Sequence, residues 1–139
     1  MSTINAYLSF DGNCRSAMKF YQKCLGGELS FQTIGESPLS AKMPAKMKKC
    51  ILQSKLRNGK LILLGSDMVP GIGLLKGNSV SLILNCRSEK EIRHYYNRLS
   101  VDGEQTHPLK DTYWGALCGG LTDKFGHCWI LNYNKTNNR

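Results

Sequence analysis

The residues of this chain that could act as nucleophiles, general bases or metal ligands are six cysteines and three histidines. No two cysteines form a Cys-x-x-Cys pair, and no cysteine and histidine have the spacing of a zinc finger. His94 falls on a predicted helix, while His107 and His127 lie near predicted turns, so we do not expect them to converge. The sequence therefore assigns no catalytic residue and no metal ligand. The cysteines are expected to be reduced and mostly buried, as small apolar residues.

Positive charge is in excess in this chain. Nineteen Lys and Arg against ten Asp and Glu give a formal net charge of +9. Four lysines crowd residues 42–49, next to prolines, and we expect residues 35–48 to form a mobile loop. Such a positive field attracts anions, which favours an anionic small ligand. Arginines do not alternate with aromatic residues as in nucleic-acid-binding segments, so we expect no nucleic-acid partner.

The composition is that of a globular protein. Hydrophobic residues make up 41% of the chain and charged residues 21%, which argues against disorder. No apolar run approaches the roughly 18 residues that a membrane-spanning helix needs. The first residues have neither the basic start nor the apolar stretch of a signal peptide. We therefore expect a cytoplasmic protein without a membrane partner.

Two amphipathic helices and eight strands are predicted. The first helix follows Asn13 as N-cap, and the second opens with the capping box Ser88-Glu89-Lys90-Glu91. The strands are predicted at residues 4–10, 28–34, 49–56, 60–65, 79–85, 105–109, 115–122 and 127–133. The order of elements is βαβββ followed by a second βαβββ.

The two halves match each other as an internal repeat. Leu8 and Phe10 match Leu82 and Leu84 at an offset of 74 residues, and the closing strands match at an offset of 67. Such a repeat indicates duplication of one structural unit. The sequence predicts one α+β domain over residues 1–139, with unit one at about residues 1–68 and unit two at about 79–135. We expect two curved mixed sheets that enclose a cleft, with the helices outside.

Strand alternation predicts which side chains face this cleft. The inward set mixes aromatic, amide, hydroxyl and cationic groups, which is typical of a small-molecule pocket. The alternative is that these side chains only fill space and hydrogen-bond to one another. The predicted cleft residues are Asn5, Tyr7, Ser9, Gln53, Lys55, Ser79, Ser81, Trp114, Ala116, Cys118 and Ile130.

Three segments resemble those of a known family. Residues 7–14 (YLSFDGNC), 64–67 (LGSD) and 122–129 (TDKFGHCW) look like the opening, middle and closing motifs of PhnB-like proteins. The chain thereby also resembles the glyoxalase / bleomycin-resistance / extradiol-dioxygenase superfamily, also called vicinal oxygen chelate, to which PhnB-like proteins belong. The resemblance implies the same paired βαβββ fold. It also implies a homodimer, in which apolar residues such as Ile72, Leu74 and Leu75 would gain from burial.

The superfamily resemblance implies a divalent metal held by histidine and glutamate on the first and last strands of each unit. The matching positions carry Asn5, Ser79 or Val80, a residue near Leu63, and Ile130. Third-strand positions that carry histidine in many relatives match Gln53 and Ala116. None of these is a good metal ligand, so no metal cofactor is expected.

The sequence therefore predicts a small-molecule-binding protein on this scaffold, without the usual metal centre and without an assigned reaction. The alternative is a metal-dependent lyase, isomerase or dioxygenase with non-standard ligands. A methyltransferase is a third possibility, because PhnB-like sequences are sometimes labelled as demethylubiquinone methyltransferases. It is disfavoured because no glycine-rich nucleotide-binding strand–loop–helix is present.

Overall fold

The computed structural model describes residues 2–68 and 73–135. The chain divides into two compact units, unit 1 (Met1–Leu75) and unit 2 (Lys76–Arg139). The predicted order βαβββ is confirmed in each half, with short additional helices in unit 1. No helix among the described residues is both long and apolar enough to cross a membrane. Ile72, predicted as a dimer contact, lies outside the described residues.

Unit 1 is a four-stranded mixed sheet with one long helix packed on it. Its strands are β1 (Ala6–Phe10), β2 (Glu28–Thr33), β3 (Ile51–Asn58) and β4 (Leu61–Asp67), in the spatial order β1-β4-β3-β2. Strands β1 and β4 are parallel, and the other neighbours are antiparallel. The helices are α1 (Cys14–Leu25), α2 (Ala45–Lys48) and two 3₁₀ helices at Ile34–Glu36 and Pro38–Lys42.

Unit 2 repeats this plan. Its strands are β5 (Leu82–Cys86), β6 (Glu104–Asp111), β7 (Ala116–Thr122) and β8 (Cys128–Asn134), in the order β5-β8-β7-β6, with helix α3 at Glu89–Leu99. Strand β5 begins at Leu82 rather than at residue 79, so the predicted cleft residue Ser79 precedes the strand. Asn5 likewise precedes β1 in unit 1.

Helix α1 is capped differently from the prediction. The Asn13 side chain makes no capping hydrogen bond. Instead, Asp67 at the end of β4 accepts a hydrogen bond from the Cys14 amide at 3.0 Å and another from the Ile51 amide at 2.8 Å. A carboxylate is favourable at a helix N-terminus because of the helix dipole. Asp67 therefore joins the start of α1 to the start of β3.

Helix α3 is capped as predicted. Ser88 Oγ accepts a hydrogen bond from the Glu91 amide at 3.0 Å, and Glu91 Oε1 accepts one from the Arg87 amide at 3.1 Å. The buried face of α3 contains Ile92, Tyr96 and Leu99. This face packs on the sheet, where Trp129 and Leu131 of β8 are buried.

Strand pairing places the internal repeat in a different register from the sequence match. The parallel ladder of unit 1 starts with Ala6 opposite Leu63, and that of unit 2 starts with Leu82 opposite Trp129. The structural offset is therefore 76 residues for the first strand and 66 for the last. A one-residue shift moves a side chain to the other face of a sheet. Leu63 and Ile130 consequently lie on non-equivalent faces of their sheets.

Candidate functional site

The predicted cleft residues of unit 1 lie on an open surface. Tyr7 and Lys55 both pair with Leu64, and Ser9 pairs with Ser66, which places these side chains on the sheet face opposite α1. Gln53 shares that face by alternation with Lys55. The Tyr7 hydroxyl donates a hydrogen bond to Ser66 Oγ at 2.8 Å, and 55% of Tyr7 is exposed. The structure thus brings Tyr7, Ser9, Gln53 and Lys55 to one polar, exposed face.

Unit 2 contains a cavity of about 590 Å³ on its sheet, here called the unit 2 cavity. Strands β6, β7 and β8 form it together with residues just before β5. Of the predicted cleft residues, Ser81, Cys118 and Ile130 line it. Ser79, Trp114 and Ala116 are not among its lining residues: Trp114 precedes β7 and is 58% exposed, and Ala116 is buried.

A glycine forms the floor of the unit 2 cavity. Gly120 pairs with Ile130 of β8 on one side and with His107 of β6 on the other, in the middle of the sheet. A Cβ atom at Gly120 would lie 3.2 Å from His107 Nδ1 and 3.5 Å from Thr106 Oγ1. The His107 side chain therefore lies close to the space that a larger residue at Gly120 would occupy. This missing side chain leaves room on the sheet face between His107 and Ile130.

Gly119, which precedes Gly120, allows close packing on the opposite face of the sheet. A Cβ atom at Gly119 would lie 2.8 Å from Leu109 Cδ2, 3.0 Å from His107 O and 3.1 Å from the Tyr96 ring. The close approach lets the Tyr96 hydroxyl of α3 share its one proton between His107 O at 2.8 Å and Gly120 O at 3.2 Å. The pairing of β6 with β7 is irregular on both sides of His107. Tyr96 therefore provides a donor to carbonyls at an irregular part of the ladder.

Sequence reasoning missed the β6 side of the cavity. His107 and Lys110 line the cavity, although neither was predicted to do so. The available signal was the Gly119-Gly120 pair inside a predicted strand, because glycine in a strand interior often marks a close approach or a space. The two irregularities of β6 could not be predicted from the sequence. Alternation along residues 105–109 therefore did not show which side chains of this strand face the cavity.

The closing turn of unit 2 is built around a buried carboxylate. Asp123, which is 3% exposed, accepts hydrogen bonds from the amides of Phe125 and His127 and from Trp129 Nε1. His127 Nδ1 lies 4.0 Å from Asp123 Oδ1. Burial lowers the pKa of His127, with a further lowering by Lys76, against the attraction of Asp123. These contacts make Asp123 a structural residue of the turn.

All six cysteines are free thiols. Cys14, Cys24 and Cys86 are buried. Burial raises the pKa of Cys14 to about 11 and that of Cys86 to about 12, so both thiols are poor nucleophiles. Cys118 and Cys128 are partly exposed and line the unit 2 cavity.

Comparison with known proteins places the chain in a family. The family model described as 3-demethylubiquinone-9 3-methyltransferase matches residues 2–132. The chain belongs to this family. Protein YjdN of Escherichia coli (strain K12) is 29% identical over 140 residues, covering 95% of each chain. Protein PA1353 from Pseudomonas aeruginosa has a crystal structure with a TM-score of 0.86 at 35% identity, covering 96% of this chain and 98% of that one.

Structures of more distant relatives share the fold of this chain. The PhnB protein from Bacillus cereus has a TM-score of 0.74 at 22% identity, covering 95% of this chain and 99% of that one. A glyoxalase-related enzyme from Fulvimarina pelagi has a TM-score of 0.60 at 16% identity, with coverage of 96% and 89%. The predicted resemblance to PhnB-like proteins with a glyoxalase-type α+β fold is confirmed.

Leu63 and Ile130, two of the positions that the superfamily resemblance matched to metal ligands, do not fit a metal ion. Leu63 is 5% exposed on the helix-facing side of its sheet, whereas Ile130 lies on the other face of its own sheet and lines the unit 2 cavity. Neither side chain has a donor atom for a metal ion. Within residues 2–68 and 73–135, no group of three or more His, Cys, Asp or Glu side chains is arranged to hold a metal ion.

Proposed function

We propose that this PhnB-like protein binds a small organic molecule in the unit 2 cavity, without a metal ion. The observation that supports this most directly is the cavity of about 590 Å³ above Gly120. Ligand pockets commonly measure about 300–1,000 Å³ and are apolar with a few placed polar groups. Pro108, Cys118 and Ile130 contribute apolar surface, while His107 and Lys110 contribute polar groups.

Two other activities suggested by relatives have less support. A metal-dependent lyase, isomerase or dioxygenase would need donor atoms that Leu63 and Ile130 do not supply. A methyltransferase, as the family description suggests, would usually hold its nucleotide cofactor at a glycine-rich turn between a strand and a helix. The turn from β1 to α1 contains one glycine, Gly12, and the turn from β5 to α3 contains none. Ligand binding therefore remains the better-supported proposal.

The proposal also includes a cytoplasmic homodimer. Leu75 is 97% exposed and Val80 is 76% exposed, and apolar side chains of this kind gain stability when a partner covers them. Light scattering at high micromolar concentration would test this part. A monomer at that concentration would contradict the dimer and would leave the binding proposal intact.

The binding proposal is tested by screening neutral aromatic fragments against the ¹⁵N-labelled protein and following amide chemical shifts. We expect hits to shift the amides of Gly119, Gly120 and Cys128, which line the cavity. Gly120→Val serves as the matched variant. Its side chain would fill the floor of the cavity in a strand position that favours β-branched residues. Hits should lose binding in Gly120→Val. If no fragment shifts these amides, or if Gly120→Val binds the hits unchanged, the proposal is wrong.

A further inference from the structure

The unit 2 cavity has an uneven distribution of charge. Among its described lining residues there is one lysine, Lys110, and no aspartate or glutamate. The apolar surface of Pro108, Cys118 and Ile130 belongs to the same cavity. A ligand that fills this space therefore meets one cationic group and a largely apolar wall.

Lys110 is not neutralised by a neighbouring carboxylate. The adjacent acid, Asp111, is paired with Lys135, whose Nζ lies 2.6 Å from Asp111 Oδ1. No carboxylate of the described chain lies within ion-pair distance of Lys110, and its ammonium group is free for a ligand. Lys110 pairs directly with Cys118 of β7, so the two side chains share the face that bears the cavity.

His107 provides a second polar group beside Lys110. Its Nδ1 lies 3.3 Å from Thr106 Oγ1, which leaves Nε2 without a partner among the described residues. When Nδ1 accepts from the Thr106 hydroxyl, Nε2 carries the proton and can donate to a ligand oxygen. One ammonium and one imidazole N–H on the same side of a cavity suit an oxygen anion.

We propose that the ligand of the unit 2 cavity is an apolar monocarboxylate. Its carboxylate would accept hydrogen bonds from Lys110 and His107, and its apolar body would cover Gly120 and contact Ile130. This inference rests on the proposed function of the same cavity and adds the chemical class of its ligand. The sequence favoured an anionic ligand through its excess of lysines, and Lys55 was the lysine among the predicted cleft residues. Lys55 is exposed on unit 1, and the lysine that lines the unit 2 cavity is Lys110.

Three probes of similar shape test this inference: naphthalene-2-carboxylate, naphthalene-2-carboxamide and naphthalen-2-ylmethylammonium. Dissociation constants come from chemical-shift titrations of the Gly120 and Cys128 amides. We expect the carboxylate to bind about five-fold more tightly than the amide, the size expected for one exposed ion pair, and the ammonium probe to bind most weakly. Added salt should reduce the difference between carboxylate and amide.

Two variants with the same change in charge assign the effect to a residue. Lys110→Gln should remove the about five-fold preference for the carboxylate and leave amide binding unchanged. Lys90→Gln, an exposed lysine on α3 that does not line the cavity, should leave both dissociation constants unchanged. Equal weakening by both variants would overturn the role of Lys110 in favour of the overall positive charge.

The outcomes separate this inference from the proposed function. If the carboxylate and the amide bind equally well, or the ammonium probe binds most tightly, the carboxylate assignment is wrong and the cavity remains a binding site. If none of the three probes shifts the Gly120 or Cys128 amide, both the inference and the binding proposal are wrong.

Discussion

Lys55 of unit 1 and Gly120 of unit 2 occupy equivalent positions in their sheets. Lys55 pairs with Leu64 on the last strand and with Ser30 on the second strand. Gly120 pairs in the same way with Ile130 and with His107. Where unit 1 carries a long side chain at the centre of its open face, unit 2 carries none. The repeated scaffold has thus diverged at one position into a polar surface and a cavity.

Alanine substitutions at the two adjacent glycines of β7 should affect stability differently. Gly119→Ala would place a Cβ atom 2.8 Å from Leu109 Cδ2 and 3.0 Å from the backbone oxygen of His107. We expect it to lower the free energy of unfolding by about 1–3 kcal/mol, the usual cost of overpacking. The Cβ atom of Gly120→Ala would lie nearest to the side chains of His107 and Thr106, which can move, and 3.5 Å from a backbone oxygen. This substitution should therefore lower the free energy of unfolding by less than about 1 kcal/mol.

Urea unfolding of the wild type and both variants measures this difference. The comparison is internally controlled because the two substitutions are chemically identical and adjacent in one strand. A larger loss for Gly120→Ala than for Gly119→Ala would contradict the assignment of Gly119 to the packed face and Gly120 to the cavity.

Removal of the Tyr96 hydroxyl should destabilise unit 2 and disturb the wall of the cavity. In Tyr96→Phe the carbonyls of His107 and Gly120 lose the hydroxyl donor, and removing one partner of a buried hydrogen bond costs about 1–3 kcal/mol. We expect a loss of that size in urea unfolding, with shifts at the amides next to His107 in the folded state. Tyr95→Phe, on the same helix and partly exposed, should cost less than about 0.5 kcal/mol. Equal effects of the two variants would show that the Tyr96 hydroxyl has no special role.

The architecture could be predicted from the sequence because hydrophobic periodicity and the cap of α3 are local signals that agree with each other. Alternation in β1 placed Leu8 and Phe10 on the helix side, and both are buried there. Ser88 and Glu91 marked the start of α3, and their hydrogen bonds are present. Each of these signals is local, which is why a single sequence is enough to read it.

The site was predicted less well because its geometry depends on non-local pairing. The cap of α1 comes from Asp67, 53 residues away from Cys14 in the chain. The sheet face on which the His107 side chain lies depends on the irregular pairing of β6. No residue pattern in the sequence predicts where such an irregularity occurs. Ser81, Cys118 and Ile130 line the unit 2 cavity; Cys118 and Ile130 lie where β7 and β8 pair regularly, and Ser81 immediately precedes β5. The prediction that the two sheets enclose a common cleft stays a prediction.

The cysteines should differ widely in their reaction with iodoacetamide in the folded protein. With a pKa of about 11, Cys14 has roughly one thiolate in a thousand at pH 8, and Cys86 has fewer. Both thiols are also buried. We expect Cys118 and Cys128 to be labelled first at pH 8, as measured by mass spectrometry of the digested protein.

Labelling in 8 M urea is the control for this prediction, because unfolding should make all six thiols react at similar rates. Naphthalene-2-carboxylate should slow the labelling of Cys118 in the folded protein if it fills the cavity. Labelling of Cys14 or Cys86 as fast as Cys118 without urea would contradict their burial.

Acidification should weaken the fold through His127. Burial and the nearby charge of Lys76 lower the folded-state pKa of His127 below its ordinary value of 6.5, and this outweighs the attraction of Asp123. Above pH 6.5 the imidazole is mostly neutral in both states, so its full contribution to stability is present. As the pH falls below 6.5, the unfolded chain binds the proton first, and stability is lost until the pH passes the folded-state pKa.

Two measurements check this mechanism. The imidazole of His127, followed by NMR, should remain neutral below pH 6.5, and Lys76→Gln should move its pKa upward because a like charge is removed. The free energy of unfolding of the wild type should fall between pH 7 and pH 5 by more than that of His127→Gln, which cannot take up the proton. Both proteins share the other titrating groups, so their difference isolates His127. A folded-state titration of His127 above pH 6.5 would mean that the attraction of Asp123 dominates, and the sign of the pH dependence would then be reversed.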